Sequence, residues 1–239
     1  SYIKMRIPTI RFIVCGDIPH QLPPIQEEYR NFYNSYCLKE LTNFNKINLN
    51  YNFRSGITSS ELWEWSNTPH KFKELKVQPI TDRNLCWTNK TRKKVINILQ
   101  DRIKNPVIID TSKYSHKLDG HNDVLKYNIG TPLIASKSDT DKLGTCKNEM
   151  YYVVGLEPIK LFEPVLQKTI FVEDEEQLIK NFLSGYCITI HKSQGETYDD
   201  KYTIHDWGKI SQDNIVKRKL RYVGQSRSSN PENNIYYKL

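Results

Sequence analysis

The sequence has no stretch of about eighteen consecutive apolar residues, the minimum for a membrane-spanning helix. Its first residues do not follow the charged-then-apolar pattern of a signal segment. Cysteine is sparse: Cys15, Cys37, Cys86, Cys146 and Cys187 form no CxxC pair, and no histidines stand at zinc-ligand spacing. Free thiols in a reducing, intracellular compartment are expected. No internal repeat or low-complexity tract is present, which argues against a repeat architecture. Also missing is a GxxxxGK[ST] loop, so these residues hold no phosphate cradle of that kind. The first residue is Ser1 rather than Met, and a natural start further upstream is expected.

What remains is the composition of a globular protein. With 38% hydrophobic and 26% charged residues, 239 residues suffice for one large or two small domains, each with its own core. Lysine and arginine number 35 against 27 aspartates and glutamates, a formal net charge of +8. That balance suits a polyanionic partner, although charge alone does not separate nucleic-acid binding from solvation. The abundance of Asn, Ile, Lys and Tyr fits an AT-rich genome, such as that of a large DNA virus or a parasite.

Periodicity and breakers set the organisation. "TIRFIVCGD" predicts a short strand, and Pro19, Pro23 and Pro24 forbid its continuation as strand or helix. Residues 25–45 read as connecting helix and loop. "ITSSELWEWSN" predicts a short helix with serine caps, and "NLCWTNKTRKKVINILQDRI" a strand followed by a helix. In that helix Val95, Ile96, Leu99 and Ile103 recur at three- and four-residue steps, with lysines and arginines opposite. "TPLIAS", "MYYVVGLEPIKLF" and "LQKTIFV" predict further strands, the closely spaced ones a small β insertion, and "EDEEQLIKNFL" a helix with an acidic start. Tyr186–Ile190 and "KYTIHD" then predict strands, "DNIVKRKLRYVGQSRSS" a helix and "NNIYYKL" a last strand. The alternation argues for an α/β layer fold with a mainly parallel sheet.

In such sheets ligands gather in the loops beyond the carboxyl ends of the strands. "GYCITIHKSQGETYDD" runs from an apolar strand into six polar or flexible residues. It reads either as a phosphate-contacting loop or as an ordinary solvated turn carrying a glycine. In the first case the Thr189 and Ser193 hydroxyls, His191, Lys192 and the main-chain NH groups that Gly195 leaves open would be the donors. "GDIPHQLPP" repeats the design, with Asp17 and Gln21 beyond a strand. Glutamine can donate to a phosphate oxygen while accepting from a water. Arg227 in "RYVGQSRSS" and Arg54 in "LNYNFRS" are candidates to neutralise charge on a transferred phosphoryl group, or are simply surface arginines among 35 basic residues.

Taken in order, "GDIPHQLPP", "LNYNFRS", "CWTNKT", "TPLIASKS", "YCITIHKSQGET" and "LRYVGQSRS" resemble the later motifs of superfamily 1 helicases, nearest the RecD-like and Pif-type branch that translocates 5′ to 3′ on DNA. The resemblance implies a RecA-like parallel sheet flanked by helices, with a small SH3-like β insertion. It places the tail of a first RecA-like domain and a linker in residues 1–45, a second in 46–136 and 184–239, and the insertion in 137–183. It implies that Gln21 contacts the γ-phosphate of ATP, and that Arg54 and Arg227 reach across the cleft to it. Thr88 and Asn89 would touch the backbone of single-stranded DNA. Thr189, His191, Lys192 and Ser193 would grip that backbone, while Gln194, Gly195 and Glu196 would lie nearer the nucleotide.

One departure from the family pattern matters more than any match. Without the glycine-rich loop, and without an Asp-Glu pair ahead of "GDIPHQ", the groups that hold the phosphates and Mg²⁺ are not in these residues. ATP and Mg²⁺ would be bound mainly by a missing N-terminal RecA-like domain, with this half inactive alone. The alternatives are a non-catalytic nucleic-acid-binding or docking module and an RNA-directed helicase.

Overall fold

The computed structural model describes residues 6–7, 9–16, 20, 22, 35–48, 52–67, 80–118, 120–210 and 213–238. Helix α1 (Tyr36–Leu41) and helix α2 (Ser59–Trp65) come first, followed by strand β1 (Asn84–Cys86), helix α3 (Asn89–Gln100), strand β2 (Val107–Asp110) and strand β3 (Val124–Tyr127). Next come β4 (Pro132–Ala135), β5 (Met150–Leu156), β6 (Ile159–Glu163), β7 (Lys168–Val172), α4 (Glu175–Asn181) and β8 (Phe182–Ser184). The chain closes with β9 (Cys187–Thr189), β10 (Tyr202–Ile204), α5 (Asn214–Gln225), α6 (Pro231–Asn234) and β11 (Ile235–Tyr237).

Four short strands pair in parallel in the order β11-β10-β1-β9. Alternation along each strand sorts the side chains to two buried faces. Leu85, Ile188 and Ile204 meet Leu62 and Trp65 of α2 and Leu220 and Val223 of α5 on one face. On the other, Cys86 and Cys187 meet Val95, Ile96 and Leu99 of α3. A sheet covered on both sides favours apolar residues, and the buried polar ones are hydrogen-bonded: Asn84 donates to the Thr81 and Tyr186 carbonyls, and the Thr203 hydroxyl bonds the Thr81 hydroxyl. Caps begin the helices: Thr58, not a serine, accepts from the Glu61 amide at α2, and Asp213 accepts from the Ile215 and Val216 amides at α5.

The second sheet has five strands in the antiparallel order β7-β6-β5-β4-β8. Here only one face is fully buried, so the alternation is visible: Ile159 and Leu161 point inward, Lys160 and Phe162 less so. Leu178 and Ile179 of α4 cover that face, together with Leu125 and Tyr127 of a β2–β3 hairpin. Buried Glu163 accepts from the Val165 and Leu166 amides and so closes the β6–β7 turn.

Four expectations are corrected. Residues 9–16 form no strand: Ile13 is 90% exposed, and β-branched residues make a strand only where a neighbouring strand pairs with them. Phe182 and Leu183 leave the helix and pair with β4, the ladder overriding helical continuation. The antiparallel sheet is wider than residues 137–183, because Pro132–Ala135 joins it rather than the parallel sheet. Arg92, three and four residues before Val95 and Ile96, lies on the buried face of α3 rather than opposite it.

Candidate functional site

Cys86 and Thr189 are register partners, so the loops beyond β1 and β9 emerge side by side. The Ile190 amide donates to the Cys86 carbonyl at 2.9 Å and holds them together. Beyond β1, the Thr88 hydroxyl caps α3 by accepting from the Thr91 amide at 3.2 Å, and Asn89 is exposed as the first helical residue. Beyond β9 the chain turns sharply. The Lys192 amide reaches the Thr189 hydroxyl at 3.3 Å, and the Ser193 amide reaches the Thr189 carbonyl at 3.1 Å. Gly195 has a φ of +97°, a conformation any side chain would strain.

Two cations from other elements act by charge on a lysine of this turn. Half-buried Lys192 has its pKa pushed down to about 8, first by burial and then by Arg92 of α3 and Lys147 of the β4–β5 connection. An amine held so close to neutrality among like charges gains from any anion placed beside it. His191 is half-buried in the same turn.

The other flank of the loop holds an arginine pair. Arg227, only 3% exposed, donates from Nε to the Val223 carbonyl at 3.1 Å and from Nη2 to the Ser226 hydroxyl at 2.8 Å. Its Nη1 points at the Ser193 and Glu196 carbonyls, each 3.4 Å away. Half-buried Arg54 donates to the Ser226 carbonyl at 2.7 Å, although 172 residues separate the two in sequence. Burial, and then the charge of Arg54, push the Arg227 pKa down. Among the described residues neither guanidinium forms an ion pair. Burial also raises the Glu196 carboxyl, against the pull of Arg83 and Arg227.

Arg54, Arg227, Ser193 and Glu196 therefore converge, and Thr88, Thr189 and Lys192 gather on the neighbouring strand ends. Ser193 differs from expectation: it is fully buried, and its hydroxyl donates to the Ile190 carbonyl at 2.8 Å instead of facing outward. Gln194 is half-buried and donates from Nε2 to the Leu22 carbonyl at 3.4 Å. Gln21 and Asp17 lie outside the described residues. Sequence reasoning missed Ser226, Arg92 and Lys147. The helical spacing of Arg92 with Val95, Ile96 and Leu99 was the available signal for one of them, whereas contacts across distant segments leave none.

Neither a protein-family model nor a curated protein matches the sequence. Solved structures do match. One, described as the structural basis for DNA unwinding at forked dsDNA by two coordinating Pif1 helicases, aligns with a TM-score of 0.61 at 22% identity, covering 92% of this chain and 58% of that one. The Pif1 helicase from Candida albicans aligns with a TM-score of 0.59 at 16% identity, covering 94% of this chain and 63% of that one. The chain thus has the RecA-like fold of Pif1 helicases, and spans about three fifths of the length of these two structures.

Proposed function

We propose that this chain is the nucleic-acid-gripping half of an ATP-dependent helicase motor of the Pif1 type, acting on single-stranded DNA and presenting Arg54 and Arg227 to the nucleotide. The observation that carries the reading is the convergence of two guanidiniums at one buried carbonyl and hydroxyl, with no carboxylate paired to either among the described residues. Guanidiniums that form no ion pair among the described residues, in a partly buried place, fit an oxyanion supplied from outside.

A bound nucleoside triphosphate supplies a transferable γ-phosphoryl group. The residues here supply positive charge against it. Arg54 is half-buried and anchored at one nitrogen only, so it is the group free to extend; Arg227 is held at all three nitrogens and fixes the platform. Preorganised charge of this kind costs little reorganisation when the reaction occurs. No group of three or more metal-ligating side chains exists among the described residues, so no step through Mg²⁺ is assigned to this chain. The other flank of the 190–196 loop, with Thr88, Asn89, Thr189, His191 and Lys192, would hold the phosphodiester backbone without reading bases.

Fluorescence anisotropy with a labelled single-stranded oligonucleotide tests the gripping half directly. Sequence-independent binding that weakens steeply with salt is expected. Absence of binding at low salt would leave the net charge as mere solvation. Stronger binding to RNA of matched sequence would move the reading to an RNA-directed motor.

A further inference from the structure

Residues 20 and 22 belong to no sheet, yet both are held against the parallel-sheet unit. The His20 ring centre lies 5.1 Å from that of Trp63 on α2 and 5.1 Å from that of Tyr222 on α5. Those two rings are themselves 5.7 Å apart, near edge-on. All three spacings fall in the attractive range for aromatic pairs, so the rings form a closed triangle. Arg218 steadies it, with its guanidinium carbon 4.2 Å from the Trp63 ring centre and an ion pair to Glu64 at 3.0 Å.

The two attachments of this segment lead to the same place. Leu22, like Trp63, packs against the main core, and its carbonyl accepts from Gln194 in the loop whose Ser193 and Glu196 carbonyls face Arg227. Tyr222 takes the Ser226 amide on its carbonyl at 2.8 Å, and its neighbour Val223 takes Nε of Arg227. Two short chains of contacts therefore link the arginine platform to His20 and Leu22, one through the loop and one through the last turn of α5.

We propose that Trp63 and Tyr222 are positioning residues: by gripping the His20 ring they register His20 and Leu22 against the 190–196 loop and pass displacements of the arginine pair to those two residues. This rests on the reading of the arginine pair as nucleotide-facing. Packed rings suit the task because such contacts hold in one arrangement or let go, rather than deforming gradually.

Hydrogen exchange on the 239-residue chain is the test. His20→Ala is expected to speed exchange of the 190–196 amides by about tenfold, the order expected from losing two aromatic pairs. His20→Phe, which keeps a ring, should return the wild-type rate. Unchanged exchange in His20→Ala, or no rescue by His20→Phe, overturns the proposal. In the full-length protein His20→Ala should lower kcat for DNA-stimulated ATP turnover while leaving KM for ATP in place, again with rescue by the phenylalanine; an effect on KM alone also overturns it. If the wild-type protein turns over no ATP, the nucleotide reading falls, while the exchange measurement still decides the aromatic grip.

Discussion

The two larger sheets among the described residues are built on opposite plans. The parallel sheet uses three-residue strands buried on both faces, and its polar residues crowd the loops at one end. The antiparallel sheet uses strands of up to seven residues, with its polar groups spread along the outward face and spent on its own turns. A strand with no free face can offer chemistry only at its tip, whereas a strand with a solvated face is a scaffold with tolerance along its length. The candidate site lies at the tips of the parallel strands. From the antiparallel sheet's connections, the charge of exposed Lys147 bears on Lys192.

The largest effect should come from the arginine platform. Arg227→Ala is expected to lower DNA-stimulated ATP turnover of the full-length protein by about 10³-fold or more, as for an arginine that neutralises a transferring phosphoryl group. It should also cost about 2–3 kcal/mol in chemical denaturation, because several buried acceptors lose their donor. Single-strand affinity per folded molecule should hold. A variant that loses stability but keeps its turnover would make Arg227 purely structural and erase the contrast between the sheets.

In the antiparallel sheet the reverse is expected. Leu161 is fully buried, and Leu161→Ala should cost about 2–5 kcal/mol. Affinity of the folded fraction for single strands should not change. A large affinity loss would show that this sheet takes part in binding.

How far the sequence revealed this plan follows from the same contrast. Short, mainly apolar runs bounded by polar residues announced β1, β9, β10 and β11, since burial on both faces leaves few polar positions. The β2–β3 hairpin went unread: exposed Ile108 and Val124 blur its alternation. Residues 9–16 had the composition of a strand and no strand to pair with, which local pattern cannot reveal. At the site, the order of motifs pointed to Arg54, Arg227 and the 190–196 turn. The inward turn of Ser193 was hidden, because a serine in a polar loop looks the same whether its hydroxyl faces solvent or a carbonyl.

A smaller effect should separate the two flanks of the turn. Lys192 titrates near 8, so it is charged at pH 7 and largely neutral at pH 9, whereas an unperturbed lysine stays charged throughout. Single-strand affinity should therefore fall by about fivefold between those values, with a salt slope shallower by about 0.7, in the wild type and not in Lys192→Gln. Equal pH dependence in both would remove Lys192 from the contact. The smallest effect belongs to the outward face of the antiparallel sheet. Phe171 is 59% exposed, and Phe171→Ser should change stability by no more than about 0.5 kcal/mol and leave binding as it was.

The most direct measurement is single-turnover ATP hydrolysis by the full-length Arg54→Ala protein with single-stranded DNA at saturation. Arg54 is half-buried and tied by one guanidinium bond to Ser226, so its loss should leave the fold in place. A fall of about 10³-fold with unchanged DNA affinity is expected. Wild-type turnover in that variant would contradict the assignment of the arginine pair to the nucleotide.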